Sequence, residues 1–366
     1  MTESEIEEVL SVLRGTRLSL GPKMEEFEDL VCRLAGQNFG VAVSSGTAGL
    51  HLCIRALGIG PRDEVIVPSF TFVAAANAVR YEGATPVFVD IEPRALNLDA
   101  DGIEAAITSR TRAIVAVHTF GCPADMHAIV AIARRHRLLV IEDACEALGA
   151  TCRGKPVGSF GDAAVFAFYP NKQITTGEGG MVVTGDARLA REIRAMRNHG
   201  RYDSDDWHQH SILGYNYRLS EMNCALGCGQ MRRIGEILER REQVARRYDE
   251  LLRDFSDLVL PPLQLPDARI SWFVYVVRLA ERFGREQRGA IARALQQRGV
   301  GCGRYFAPIH SQPAYADLPL RWPLPVTESV STRTLALPFF TRLDDESMER
   351  VAEALREAIE MNPPNG

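Results

Sequence analysis

Short apolar runs recur along the first half of the chain at 41–43, 65–67, 86–91, 113–117, 138–141, 163–168 and 181–184. They are rich in Val and Ile and barely alternate between apolar and polar, which predicts strands covered on both faces. Between them lie segments of helical period, at 72–81, 124–136 and 187–197. Strand, helix, strand in repetition predicts an α/β fold with a mostly parallel central sheet flanked by helices. After Tyr217 a long helical pattern runs over 219–255, and Pro261, Pro262 and Pro266 end it. A strand over 271–279 and a helix over 285–298 then predict a smaller α+β C-terminal domain. The resulting division is a large domain over 1–240 and a small one over 241–366. The two prolines within 361–366 predict a frayed tail.

Composition narrows the classes of function. The 366 residues are 46% hydrophobic and 24% charged, with a net charge of −5, so no global positive field recruits nucleic acid or an anionic membrane. The pairs Arg232-Arg233, Arg240-Arg241 and Arg246-Arg247 repeat at helical spacing and predict a solvated helix face. The acidic start MTESEIEEVL is unlike a signal peptide, and no apolar stretch suits a membrane span, so the expected location is cytoplasmic. Eight scattered cysteines fit reduced thiols; Cys224 and Cys228 share a helical face and predict core packing, with no metal site.

Ligands of an open α/β sheet bind beyond the carboxyl ends of its strands. Four groups of residues stand there: Ser44-Ser45-Gly46-Thr47-Ala48-Gly49, Pro68-Ser69-Phe70-Thr71-Phe72, Glu142-Asp143-Ala144 and Tyr169-Pro170-Asn171-Lys172-Gln173. Each has an ordinary explanation by itself. Asp143 would cap a helix, Lys172 would sit on the surface, the glycine turn would start a helix, and Phe72 would be core. Together they suit one cofactor, pyridoxal 5'-phosphate (PLP). A Schiff-base lysine needs a desolvated site, and a protonated pyridine nitrogen needs a carboxylate. A phosphate needs free N–H groups at a helix start, and a flat ring needs an aromatic platform. Lys172, Asp143, Gly46-Thr47-Ala48 and Phe72 supply these parts.

With Thr175-Thr176-Gly177-Glu178-Gly179-Gly180, Asn198-His199-Gly200, Gly214-Tyr215-Asn216-Tyr217-Arg218, Pro308-Ile309-His310 and Gln312-Pro313 added, the order and spacing resemble the DegT/DnrJ/StrS family of sugar aminotransferases. The resemblance runs over nearly the whole chain. It implies a fold-type I PLP-dependent transferase working as a homodimer with active sites at the subunit interface. It also implies that Lys172 is the Schiff-base lysine, Asp143 the partner of the ring nitrogen and Phe72 the stacking ring. Gly46 and Thr47 would bind phosphate, Asn216 would reach the phosphate of the other subunit, and Glu146 would stand near the ring oxygen, where relatives often have Gln or His. Relatives commonly have a serine five residues before the lysine; Ala167 stands there, leaving the missing donor to Ser69 or a water. The chain starts close to Gly21-Pro22, without the leader that many relatives carry.

The activity so implied is transfer of an amino group, from glutamate, to a nucleotide-linked 3- or 4-keto hexose. The cycle is ping-pong, with the cofactor passing through pyridoxamine phosphate and Lys172 acting as general acid and base. Tyr305, His310, Arg218 and Arg304 are the candidates for contacts to the sugar and its diphosphate. A cyclitol aminotransferase and a non-catalytic regulatory relative are the alternatives. The dehydratase branch carries His in place of Lys172, and a Rossmann oxidoreductase would need a Gly-x-Gly-x-x-Gly turn that the first strand lacks.

Overall fold

The computed structural model describes residues 1–364; Asn365 and Gly366, the end of the tail expected to fray, lie outside the described residues. The central sheet has seven strands, in the spatial order Phe39–Val43, Gly180–Thr184, Ala163–Ala167, Leu139–Asp143, Thr111–Val117, Glu64–Pro68 and Thr85–Val89. Four of the six pairings are parallel, and both exceptions involve Gly180–Thr184, which runs antiparallel to its two neighbours. The reason is the short connection from Ala163–Ala167, which has no helix to carry the chain back for a parallel return. That connection carries Lys172 across the end of the sheet.

The lack of alternation in the strands has a simple cause. Val41, Val43, Val65, Val67, Val115 and Val165 pack on one face, against the helices Gly46–Ala56, Ala74–Tyr81 and Ala187–Arg197. Ala42, Ile66, Ile114, Val140, Phe166 and Met181 pack on the other. Both faces are buried, so both sets of side chains are apolar. Helix starts are fixed locally: Ser45 Oγ accepts from Ala48 N, and Asp186 accepts from the N–H groups of Arg188 and Leu189.

The helical pattern over 219–255 is two helices, Glu221–Met231 and Ile234–Leu252, broken at Arg232-Arg233. The first is buried on most sides, with Cys224, Gly227, Cys228 and Gly229 packed against the N-terminal helices Glu3–Leu13 and Pro22–Ala35. The second is amphipathic, so the two meet different surroundings and cannot share one axis. Arg241 is also a departure from the expected solvated arginine face, because it is buried. The predicted strand over 271–279 begins only at Tyr275, and of the four residues before it Phe273 lines the cavity at the end of the sheet.

A second core gathers the strands Leu258–Val259, Tyr275–Leu279 and Thr334–Leu337 with the helices Arg285–Gln297 and Asp345–Glu360. In Ile234–Leu252, Ile237 packs into the large-domain core and Val244 into this one. We propose the domain division near residue 240 on that change of partners. No helix of the described residues is long and apolar enough to cross a membrane.

Candidate active site

A cavity of about 460 Å³ opens at the carboxyl ends of the parallel strands. Gly46, Thr47, Phe72, Asp143, Glu146, Lys172 and Tyr305, all singled out from the sequence, line it. The first six follow four strands of the sheet, as the α/β rule requires, and Tyr305 comes from the C-terminal segment.

Two adjacent carboxylates at the end of Leu139–Asp143 face opposite ways, and their surroundings separate their roles. Glu142 is fully buried and accepts N–H bonds from Gly158 (2.9 Å), Phe160 (2.7 Å) and Gly161 (2.9 Å), with His118 Nε2 at 3.2 Å. Burial pushes Glu142 up, but His118 and these N–H groups outweigh it and hold the carboxyl below its usual range. Its oxygens are committed to structure. Asp143 lines the cavity, and among the described residues its carboxylate accepts only from Cys145 N, at 3.2 Å. No helix follows it directly, so it caps none, and its remaining lone pairs are available to a ligand.

The amine of Lys172 is 3.5 Å from Oε1 of Glu146 and 4.0 Å from the centre of the Phe273 ring, with 14% of the side chain exposed. It is no surface lysine. Burial raises the Glu146 carboxyl, against the pull of Lys172 and the Phe120 N–H that donates to Oε2 at 2.8 Å. Burial likewise pushes the Cys145 thiol well up, so this cavity thiol stays neutral and is a poor nucleophile.

The helix Gly46–Ala56 points its start into the cavity. Its first N–H groups have no acceptor within the helix, and the positive end of its dipole adds to them. A Cβ on Gly46 would stand 2.8 Å from both Cβ of Ala167 and Sγ of Cys145, so only glycine lets the turn approach this closely. Phe72 is 60% exposed at the rim, an aromatic face open to a flat ligand. An amine, a free carboxylate, a helix start and an aromatic face in one cavity fit the chemistry of PLP.

Ser69, His310, Arg218 and Arg304 do not line the cavity. Ser69 is fully buried; its Oγ is 2.7 Å from Nδ1 of His310 and accepts from His310 N, so it is not the substitute phosphate donor. His310 is thereby a joint between the C-terminal segment and the large domain, outside the cavity. Arg218 spends Nη1 on Asn198 Oδ1 (3.0 Å), and Arg304 also lies off the cavity lining. Asn216 does not line its own chain's cavity either; it is exposed, between Tyr215 and Tyr217.

Phe273 has no sequence signal, since it reads as one more apolar residue of a strand. It reaches the site because Gly121 (φ +85°) lets the Ser271 backbone come close, with Ser271 N donating to Gly121 O at 3.0 Å.

Comparisons with known proteins agree with this geometry. The family described as DegT/DnrJ/EryC1/StrS aminotransferase matches residues 1–356. The chain is 42% identical over 341 residues to GDP-perosamine synthase of Caulobacter vibrioides, covering 93% of this chain and 91% of that protein. It is 41% identical over 350 residues to the UDP-N-acetyl-3-dehydro-alpha-D-glucosamine 3-aminotransferase of Acidithiobacillus ferrooxidans, covering 95% and 92%. Among solved structures, Helicobacter pylori PseC, an aminotransferase involved in the biosynthesis of pseudoaminic acid, superposes with a TM-score of 0.94 at 29% identity, covering 99% of this chain and 97% of that one. The family implies dependence on PLP. The chain belongs to the DegT/DnrJ/EryC1/StrS aminotransferase family and is a sugar aminotransferase.

Proposed function

We propose that this enzyme transfers an amino group from glutamate to a 3- or 4-keto hexose carried on a nucleotide, in a ping-pong cycle whose cofactor alternates between PLP and pyridoxamine phosphate. One observation carries the reading: the amine of Lys172, the free carboxylate of Asp143 and the helix start at Gly46-Thr47 line a single cavity. The names of two relatives, one bearing GDP and one UDP, support a nucleotide-linked sugar.

When bound, PLP supplies a carbonyl carbon for amino groups and a cationic ring that spreads the electron pair left by a departing proton. Lys172 anchors the cofactor through Nζ. Once released, that amine removes the proton from the amino-bearing carbon of the donor and returns one to the sugar carbon. Asp143 keeps the proton on the ring nitrogen. The N–H groups of Gly46 and Thr47 hold the phosphate with the helix dipole, and Phe72 stacks on the ring. Glu146, its carboxyl raised by burial, would hydrogen-bond the ring oxygen. Tyr305 borders the space left for the sugar.

The working unit is a homodimer, in which Asn216 of the partner subunit completes the phosphate site. The exposure of Phe72, Tyr81, Trp207 and Leu213 supports a surface that another subunit covers.

Borohydride treatment tests the anchor. The holoenzyme should lose its visible band and carry a reduced cofactor on the peptide containing Lys172; a label on another residue would overturn the assignment. Mixing the pyridoxamine form with a panel of nucleotide keto sugars then identifies the acceptor as the sugar that restores the aldehyde form.

A further inference from the structure

The amine of Lys172 rests on the ring of Phe273, so its place depends on two segments far apart in sequence. One guanidinium joins their backbones. Arg241 Nη2 donates to the carbonyl of Lys172 at 2.9 Å, and Nη1 donates to the carbonyls of Phe273 at 3.1 Å and Trp272 at 3.3 Å. Arg241 is 5% exposed, no carboxylate pairs with it among the described residues, and its Nε has no partner. Burial alone pulls the guanidinium down to about 10.

A buried cation without a counter-ion is costly, and a hydrophobic side chain would fill the same space at less cost. What arginine supplies here is a rigid fork matched to several acceptors at once. The acceptors belong to the lysine and to the ring beneath its amine. Arg241 also lies on the helix Ile234–Leu252 where it passes from one core to the other, so the fork ties the site to both domains.

We propose that Arg241 is the positioning residue of the site: by gripping the backbone carbonyls of both segments it locks Lys172 over Phe273. The proposal rests on Lys172 being the cofactor lysine.

Two variants of the holoenzyme, R241M and R241K, separate charge from geometry. The measurements are steady-state kinetics and the pH midpoint of the visible band. In R241M, kcat should fall by about tenfold or more, because reacting groups tolerate little misplacement. The donor KM should change by less than about threefold, as expected when binding is largely spared. The midpoint should move, because the lysine nitrogen no longer keeps its place beside Glu146. R241K keeps the charge, yet kcat still falls and the midpoint still moves, because an ammonium cannot span the three carbonyls. Parent-like kcat in R241M, or a lower kcat with an unmoved midpoint, overturns the proposal. If R241M does not fold, R241K decides alone, and kcat within about twofold of the parent overturns it. A parent enzyme without a borohydride-sensitive band would instead refute the cofactor reading beneath it.

Discussion

Nζ of Lys172 lies 3.5 Å from Oε1 of Glu146, inside a cavity that Asp143 also lines. Burial raises the Glu146 carboxyl against the pull of the amine, while Asp143 keeps lone pairs free towards the cavity, so the two acids stand in different surroundings.

Replacing Lys172 with Ala should abolish overall transamination while leaving the fold intact, because the side chain contributes little to either core. Turnover in the presence of glutamate and keto sugar, measured beside circular dichroism, checks this. Measurable catalysis above background would refute the role of the amine.

Asp143→Asn removes the charge that holds the ring proton but keeps the shape. The expected loss in kcat is about 100-fold or more, the usual consequence of deleting one preorganised electrostatic group. Single-turnover reaction of the PLP form with glutamate reads the effect directly, and an unchanged rate would count against the assignment.

Glu146→Gln should change how stability depends on pH. A carboxyl raised in the folded protein stays protonated where the unfolded chain has already ionised. Its contribution is therefore complete below the ordinary value of 4.5 and is lost as pH rises through the raised folded value. Thermal unfolding of the cofactor-free protein should show the Gln variant gaining on the parent as pH climbs through that window. Parallel curves would mean that Glu146 is ionised throughout.

Gly46→Ala places a Cβ 2.8 Å from Cβ of Ala167 and Sγ of Cys145, two short side chains with little freedom to yield. The helix start has to move, at a cost of about 1–3 kcal/mol in stability. Weaker cofactor retention on dialysis should accompany it. Full retention would show that the turn is not the phosphate site.

If Asn216 completes the site of the partner subunit, Lys172→Ala and Asn216→Ala should complement one another. After subunit exchange, half the dimers are mixed, and one of the two sites in each is intact, giving about a quarter of parental activity. No recovery in a mixture shown to contain mixed dimers would sink the shared-site arrangement.

Much of the site was readable because α/β sheets obey a local rule: an apolar run ends, and the next few residues face the ligand side. Asp143, Lys172 and Gly46-Thr47 each follow such a run within a few residues, so chain position alone assigns them to one rim. The same runs predict the sheet, since strands buried on both faces are continuously apolar. His310, Arg218 and Ser69 were equally plausible as types, but hydrogen bonds to partners elsewhere in the chain decide where they point.

The amino-acid order by itself determined the mostly parallel sheet, the cofactor class and the residues at the strand ends, since these depend on periodicity and on chemistry within a few positions. Only the tertiary structure decided that Gly180–Thr184 runs antiparallel, that Phe273 lies beneath the amine, that Glu142 is structural while Asp143 is free, and that Arg241 clamps the lysine. Those outcomes depend on burial and on contacts between remote segments, and no local pattern encodes which distant carbonyl or carboxylate a side chain will meet.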